Sequence, residues 1–333
     1  MNDSESDRTK KMKAAVEAVL TDTFLSLAIL VTRVISASGY LHKWDSVQFA
    51  LALSNYDIHR HQPHPLGYPG YIGLAWIIRK FVPDDNTALV IVGVLSSVII
   101  AVTLHRLARS VWGTRAGIIA GIIAVVNPLD WYFSSVALSY ISGAAVAAVA
   151  AHAAWSSSKK TKWVIPLAAG FSSIFWPYAG VLVFPVALWG FMRHADKPSH
   201  PENRFGISFW AEAVKFSALF AIPVLLAYIP VIVHTGGWAS FMSEVLSESD
   251  KHVVRFSGWV QRPMSEFLST TGSIGEFLMK GFGIGRWLFL ALLIPITGEK
   301  GCESKKVVFL LPLGIMGYAL IHWGKDPVFI TIG

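Results

Sequence analysis

The chain has 333 residues, of which 53% are hydrophobic and 15% are charged, and its formal net charge is +7. Its mean hydropathy of +0.52 excludes an ordinary soluble domain and predicts one polytopic integral-membrane domain over residues 1–333. The basic residues occur in short clusters between apolar runs, which indicates a role in membrane topology and argues against a nucleic-acid site. The single cysteine, Cys302, excludes an intramolecular disulfide.

The first predicted span covers residues 19–40, close to the ~20 residues that cross a bilayer as a helix. The basic segment before it places the N-terminus in the cytoplasm. This segment is followed by no small-residue cleavage pattern, so we expect an uncleaved span rather than a signal peptide. Arg33 lies in the outer half of the span. It could meet an anion in a cavity, but snorkelling to the outer interface is the favoured interpretation.

The first outer loop, residues 41–86, is expected to contain two short surface helices. In residues 44–55 the polar positions fall on one narrow stripe, which suits a helix lying at the membrane surface. Residues 69–81 form a second apolar helix that is too short to span comfortably.

The remaining topology follows from the basic loops. Further spans are predicted at residues 87–109, 116–129 and 136–155, in a hairpin at 163–192, and at 284–297. Every basic connector falls on the cytoplasmic side only if residues 69–81 do not cross. The predicted fold is therefore an all-α transmembrane helix bundle of about nine crossings, with two juxtamembrane surface helices. A second long outer loop is expected at residues 236–283.

Asp45 is the leading candidate for chemistry in the first outer loop. Its carboxylate could accept a proton from a hydroxyl group or help to hold a divalent cation. The alternative is an N-cap, with Gln48 completing a capping box. Spacing alone favours the cap.

The segment HPLGYPGY, which begins at His64, follows. Its prolines stiffen the chain and its glycines permit close backbone approach. The amides that open the second surface helix could then face an anion, with His64 as an additional donor. A simple Pro/Gly turn between two helices explains the segment equally well.

The segment from Asp57 to His64 contains three histidines and one acid, but their spacing does not match a familiar zinc site. A solvated rim, with Arg60 attracting phosphate, is favoured over a metal site. Asp130 or Tyr140 could complete a site with Asp45, although an Asp beside Pro128 is commonly turn chemistry.

The second long loop carries both signs of charge. It could bind an acceptor or a headgroup, or form an amphipathic surface segment, and for any single residue the solvated face is favoured. Its charged residues are Glu244, Glu248, Asp250, Lys251, His252, Arg255 and Arg262.

The order of a first span, an outer-loop Asp, a surface helix, HPLGYP and a second surface helix resembles the GT-C membrane glycosyltransferases. The HPLGYP segment is most similar in sequence to the corresponding segment of protein O-mannosyltransferase-like members, with Leu66 in place of a proline. The resemblance implies that a sugar, of mannosyl-like type, moves from a polyprenyl-phosphate donor to a hydroxyl acceptor outside the membrane. It implies that Asp45 is the base or a metal-linked acid, and that His64, Arg60 and Tyr68 engage the donor phosphate.

Two departures from the family pattern bear on activity. Relatives often carry a second acid after the third span, whereas residues 136–140 read VALSY, so Asp130 substitutes or the role is absent. This leaves a requirement for a divalent cation open. The chain also ends where relatives continue through more spans, as a short or C-terminally truncated member would.

Two other functions compete with the enzyme. One is a transporter or lipid flippase, and the other is a non-catalytic glycolipid-binding subunit. The expected membrane is the plasma membrane of a bacterium or archaeon, or the endoplasmic reticulum of a eukaryote.

Overall fold

A computed structural model describes residues 2–156, 158–194 and 207–249, which are helical and contain no strand. The α-helices of this part are α1 (Asn2–Ser36), α2 (Trp44–Ser54), α3 (Pro69–Arg79), α4 (Asp85–Trp112), α5 (Thr114–Val126), α6 (Pro128–Ser135), α7 (Tyr140–Trp155), α8 (Val164–Phe175), α9 (Pro177–Arg193), α10 (Ile207–His234) and α11 (Trp238–Ser249). Short 3-10 turns lie at Ile58–Arg60 and Lys159–Trp163.

The predicted all-helical class is confirmed, but the predicted number of about nine membrane crossings is not confirmed. Three described helices are long and apolar enough to cross a membrane: the Ser6–Ser36 part of α1, all of α4, and the Phe209–His234 part of α10. The pair α5 and α6, bent by 51°, could form a fourth span. The predicted span at 284–297, the loop beyond residue 249 and the chain end lie outside the described residues.

The bend between α5 and α6 corrects the predicted span at 116–129. The Asn127 side chain accepts hydrogen bonds from the amides of Leu129 and Asp130, so it caps a new helix. Pro128 occupies the first position of that helix, where its missing N–H costs nothing. The apolar run therefore continues as a second helix in a different direction instead of ending in a loop.

The contacts between α1 and α4 show how the two ends of the bundle are built. At one end, the Asn86 side-chain amide donates to the Ser38 carbonyl at 2.7 Å. At the other, Arg109 donates to the Ala14 carbonyl at 2.7 Å. We call these the α2–α3 end and the basic end. Arg193 donates to the Trp155 carbonyl at the end of α7, and His152 in the last turn of α7 lies near Arg106 of α4, so these basic residues gather at the same end of the bundle.

Helix α7 starts well below the tip of α4. Ser96, eleven residues into α4, donates to Ser142 at the start of α7 over 3.1 Å. At 1.5 Å per residue, α7 therefore begins roughly 16 Å below the first turn of α4. The turn between α8 and α9 lies at a similar depth, since Trp176 packs against Tyr140. These short helices leave space at the α2–α3 end that α2 and α3 occupy.

Helices α2 and α3 pack into this space, and the bounds of both match the predicted pair closely. In α2 the face containing Gln48, Phe49 and Ala52 is buried. The predicted polar stripe thus points towards the protein, while Trp44 is 73% exposed. Helix α3 buries Tyr71, whose hydroxyl donates to the Leu89 carbonyl of α4 at 3.3 Å. Each helix has 11 residues, too few to cross a bilayer.

Candidate functional site

Asp45 lies in the first turn of α2, and the favoured capping interpretation is wrong. The N-cap is Lys43, which makes no side-chain cap, so Asp45 and Gln48 form no capping box. Instead, Asp45 Oδ2 accepts a hydrogen bond from the Tyr140 hydroxyl at 3.3 Å. The carboxylate is only half-buried.

The segment that begins at His64 forms a tight turn with unusual backbone angles. Leu66, Gly67 and Tyr68 all have positive φ values, of 89°, 74° and 46°. Non-glycine residues rarely adopt such angles, and they concentrate at functional sites where the surroundings enforce them. The turn places His64 Nε2 at 2.8 Å from the Tyr68 hydroxyl. Phe49 of α2 packs against both rings.

Tyr68 connects this turn with Asp45. Its ring is buried, and burial raises the pKa of its hydroxyl well above the usual tyrosine value. The neighbouring Tyr140 and Asp45 raise that pKa further, because negative charge nearby opposes ionisation of the phenol. The Tyr68 hydroxyl is therefore a neutral hydrogen-bond donor within reach of the charges around Asp45.

Two aromatic residues that we did not single out from the sequence complete the site. Trp176 and Tyr178 come from the turn between α8 and α9. The Trp176 ring lies 5.5 Å from Tyr140 and 5.9 Å from Tyr178, measured between centroids. A signal was present, because the predicted hairpin at 163–192 contains the aromatic-rich sequence Phe-Trp-Pro-Tyr at its turn.

Asp130 does not pair with Asp45. Its Oδ2 lies 2.9 Å from an Arg33 nitrogen, and the Ser97 hydroxyl donates to the same oxygen. Asn127, rather than Asp130, provides the turn chemistry at this helix start. Both expectations for Asp130 are therefore wrong, and it belongs to a network between α1, α4 and α6.

Arg33 is correspondingly neither snorkelling nor facing an anion in a cavity, because its side chain is 0% exposed. It also donates to the Val125 carbonyl at 2.8 Å and to Ser134 at 3.1 Å. Its guanidinium lies 4.4 Å from the centre of the Trp131 ring, a cation–π contact. These partners compensate for the burial of the charge.

The loop between the two short helices forms the outer rim of the site. Arg60 is mostly exposed and pairs with Asp57 at 3.3 Å, so its observed partner is an acid of the rim. His59 pairs with Glu244 of α11 at 2.9 Å, and its other ring nitrogen lies 3.0 Å from the Thr235 carbonyl. The hydrogen bond to Glu244 is the main reason that the pKa of His59 is raised.

Metal ligation finds little support in this arrangement. Within the described ranges, no group of three or more His, Cys, Asp and Glu residues could hold a metal ion. The side chain found beside Asp45 is the phenol of Tyr140 rather than a second carboxylate. Of the charged residues predicted for the second long loop, Glu244 and Glu248 lie on α11. The remaining five lie outside the described residues.

A cleft of about 370 Å³ opens on the opposite face of α2 from Asp45. It contains three polar side chains at the start of α4, Asp84, Asp85 and Asn86. Asp84 caps α4 through Thr87, and Asp85 pairs with Arg79. The acids of this cleft are engaged in holding the helix ends, so we place the candidate site on the Asp45 side.

A second ionic group inside the predicted spans was missed from the sequence. At the basic end, the Asp22 carboxylate of α1 pairs with two side chains of α4. Its Oδ1 lies 2.7 Å from His105 Nδ1, and its Oδ2 lies 2.8 Å from an Arg106 guanidinium nitrogen. Asp22 and His105 are buried. The signal was the presence of Asp22 within the span predicted at 19–40 and of His105 within that at 87–109.

Comparison of the chain with family models, curated proteins and solved structures gives no match in any of the three.

Proposed function

We propose that the protein is a membrane glycosyltransferase that moves a sugar from a polyprenyl-phosphate donor to a hydroxyl acceptor at the α2–α3 end. One observation carries the proposal. A half-buried carboxylate, Asp45, meets Tyr140 beside the turn that holds His64 and Tyr68. The two halves of the GT-C resemblance, the outer-loop acid and the HPLGYP turn, thus lie at one site although 19 positions separate Asp45 from His64.

In this reaction the acceptor oxygen forms a bond to the anomeric carbon, and the bond from that carbon to the phosphate oxygen breaks. The acceptor proton passes to Asp45, and the bonding electrons leave with the phosphate. A carboxylate in hydrogen-bond reach of a hydroxyl is a suitable general base. The hydrogen bond from Tyr140 fixes the orientation of the Asp45 carboxylate.

The leaving phosphate needs hydrogen-bond donors and positive charge rather than a strong acid. Tyr68 is the N-cap of α3 and makes no side-chain cap there, so the first-turn amides of α3 are not covered by a capping side chain. These amides and the α3 dipole favour an anion. The side chains of His64 and Tyr68 would add donors. Arg60, at the rim, would act at longer range.

The level of the site along the bundle supports the use of a lipid-linked donor. Tyr140 and Trp176 lie below the tip of α4, a helix that is long and apolar enough to cross a membrane. A donor anchored by its lipid would approach the protein beside such a helix. The mannosyl-like sugar and a bacterial or archaeal plasma membrane remain part of this proposal through the resemblance alone.

The experiment compares Asp45→Asn with Asp84→Asn in membranes supplied with a radiolabelled polyprenyl-phosphate sugar. Asp84 is a matched control because it lies in the cleft on the opposite face of α2, and Asn preserves its role as the cap of α4. General base catalysis contributes about 10²- to 10⁴-fold, so Asp45→Asn should lower transfer by at least about 100-fold. Asp84→Asn should leave transfer nearly unchanged. Unimpaired transfer by Asp45→Asn would remove Asp45 from catalysis.

A transporter or lipid flippase is the second candidate, favoured by the ionic groups that lie inside candidate spans. Asp22 with His105, and Arg33 with Asp130, are buried pairs of the kind that mark transport pathways. Both ion pairs connect α1 to a neighbouring helix, so a purely structural role explains them equally well. Counterflow of a labelled solute in liposomes, without sugar transfer, would establish transport. Donor binding without turnover would instead identify a glycolipid-binding subunit.

A further inference from the structure

Helix α2 contains a glutamine, Gln48, whose side-chain amide is not used by the described part of the protein. Gln48 is 6% exposed and lies on the face of α2 that points towards the protein. Among the described residues, no group donates a hydrogen bond to this amide or accepts one from it. The amide oxygen and nitrogen are nevertheless not among the fully buried polar atoms, so solvent reaches them. Gln48 therefore presents a donor and an acceptor to a space that solvent enters.

An unused amide at such a position needs a physical reason. A polar side chain that is more than nine-tenths buried is ordinarily hydrogen-bonded within the protein, because burial removes most of its contact with water. A capping box would have used Gln48, but Asp45 and Gln48 do not form one. Methionine has a similar length and would fill the position without the cost of burying an amide. Folding thus does not explain the amide, and this indicates a ligand.

The amide lies beside the candidate base. Asp45 and Gln48 are three positions apart on α2, and side chains with this spacing are neighbours, with Cβ atoms about 5–6 Å apart. Oδ2 of Asp45 accepts from the Tyr140 hydroxyl at 3.3 Å. Oδ1 of Asp45 accepts from no group of the described residues, and solvent reaches this oxygen too. Two unused polar groups, a carboxylate oxygen and an amide, are therefore adjacent on one face of α2.

This pair of groups matches the chemistry of a sugar ring. A sugar carries several hydroxyl groups on neighbouring carbon atoms, and each hydroxyl is both a donor and an acceptor. The Asp45 carboxylate can accept a hydrogen bond from one hydroxyl, while the amide of Gln48 can donate to the next hydroxyl or accept from it. A polyprenyl tail offers no group for the amide.

We propose that Gln48 is a specificity-determining residue that binds a ring hydroxyl of the sugar held at Asp45. Its role in sugar transfer rests on the proposed function. The bound hydroxyl belongs to the acceptor sugar, beside the hydroxyl that reacts, or to the donor sugar, beside the anomeric carbon. Substrates that lack single hydroxyl groups distinguish these two sources.

The test measures kcat/KM for transfer in membranes that contain the full chain. The substrates are polyprenyl-phosphate mannose, its 2-deoxy analogue, methyl mannoside and the monodeoxy forms of that acceptor. The wild-type chain should lose about threefold to tenfold with the analogue that lacks the bound hydroxyl, the effect of one hydrogen bond. Gln48→Met should show the same loss with the parent substrates and no further loss with that analogue. Val47→Met, which places the same side chain on the opposite face of α2, should keep the wild-type profile.

A hydrated amide without a ligand is the competing explanation, and it predicts a different profile. The proposal is overturned if the wild-type chain transfers to or from every deoxy analogue as well as the parent substrates. It is also overturned if Gln48→Met keeps the wild-type penalty for each analogue. Gln48→Met should not lower the thermal unfolding temperature, because the amide has no partner in the described protein. Gln48→Glu, which keeps the size and the acceptor but cannot donate, provides a second variant for the same comparison.

Thermal unfolding in the presence of methyl mannoside separates this proposal from the proposed function. If the wild-type chain transfers no sugar, the enzyme is refuted. A rise in unfolding temperature with methyl mannoside that Gln48→Met lacks would then still support sugar binding by Gln48, and equal shifts for the two chains would overturn it. Transfer by the wild-type chain with unchanged discrimination in Gln48→Met would support the enzyme and refute the role of Gln48.

Discussion

Replacing Arg33 by Met should destabilise the protein strongly, although this residue lies outside the candidate site. The change removes the cation but keeps much of the apolar stem, so it leaves the Asp130 carboxylate buried without its charged partner. Helix α1 depends on such ties because only 17% of its most apolar window is buried inside the protein.

The expected loss of unfolding free energy follows from the contacts of the Arg33 side chain. It makes four hydrogen bonds, to Thr32, Val125, Asp130 and Ser134. At about 0.6 kcal/mol for each, the average measured inside a membrane protein, the loss is roughly 2 kcal/mol. Leaving a buried charge unpaired raises the expected cost to about 3–5 kcal/mol. We therefore expect the free energy of unfolding to fall by about 3–5 kcal/mol.

The assay is a double-mutant cycle with Arg33→Met, Asp130→Leu and the pair together, with unfolding followed by titration with a denaturing detergent. The double variant should cost less than the sum of the single variants, with a coupling of at least about 1 kcal/mol. Ile35→Ala, on the same helix but 80% exposed, is the control and should change little. Additive single effects, or a cost for Arg33→Met no larger than that of Ile35→Ala, would refute this reasoning.

Two further predictions concern the packing around the site. Docking of α11 onto the rim should weaken as pH rises through the raised pKa of His59, and should be complete below the ordinary histidine value, because only protonated His59 pairs with Glu244 as an ion. Hydrogen exchange of α11 at several pH values measures this, and His59→Gln should abolish the dependence. Gly170→Ala should separate α8 from α10, since the new Cβ would lie 2.2 Å from the Phe220 carbonyl oxygen. Gly73→Ala meets open space and should stabilise α3 by about 0.5–1 kcal/mol; equal thermal unfolding of the two glycine variants would contradict the packing argument.

The short helices of the first loop were predictable because their signals are local. Proline and glycine mark the start of α3, and the apolar pattern indicates both helices without information from distant residues. The break between α5 and α6 was missed for an equally local reason. Asn127 followed by Pro128 is a helix-start signal, but it lies within an apolar run that hydropathy alone interprets as one span.

The candidate site was predicted in separate pieces. Asp45 and His64 stood out because polar residues are scarce in an apolar chain, and Tyr140 was a secondary candidate. The wrong expectations for Asp130 and Arg33 have one cause, since each residue was interpreted from its own neighbours in the sequence. Its partner is 97 positions away, on a helix whose proximity no periodicity reveals.

By itself, the sequence determined the helical class, the presence of helices long and apolar enough to cross a membrane, and the two short helices of the first loop, because hydropathy and turn propensity act over a few residues. The tertiary structure decided which polar groups meet. A buried charge must find its partner among neighbouring helices, and this requirement pairs Arg33 with Asp130. Asp45 instead accepts a hydrogen bond from the Tyr140 hydroxyl. Because α7 begins below the tip of α4, Tyr140 meets Trp176 beneath α2 and α3.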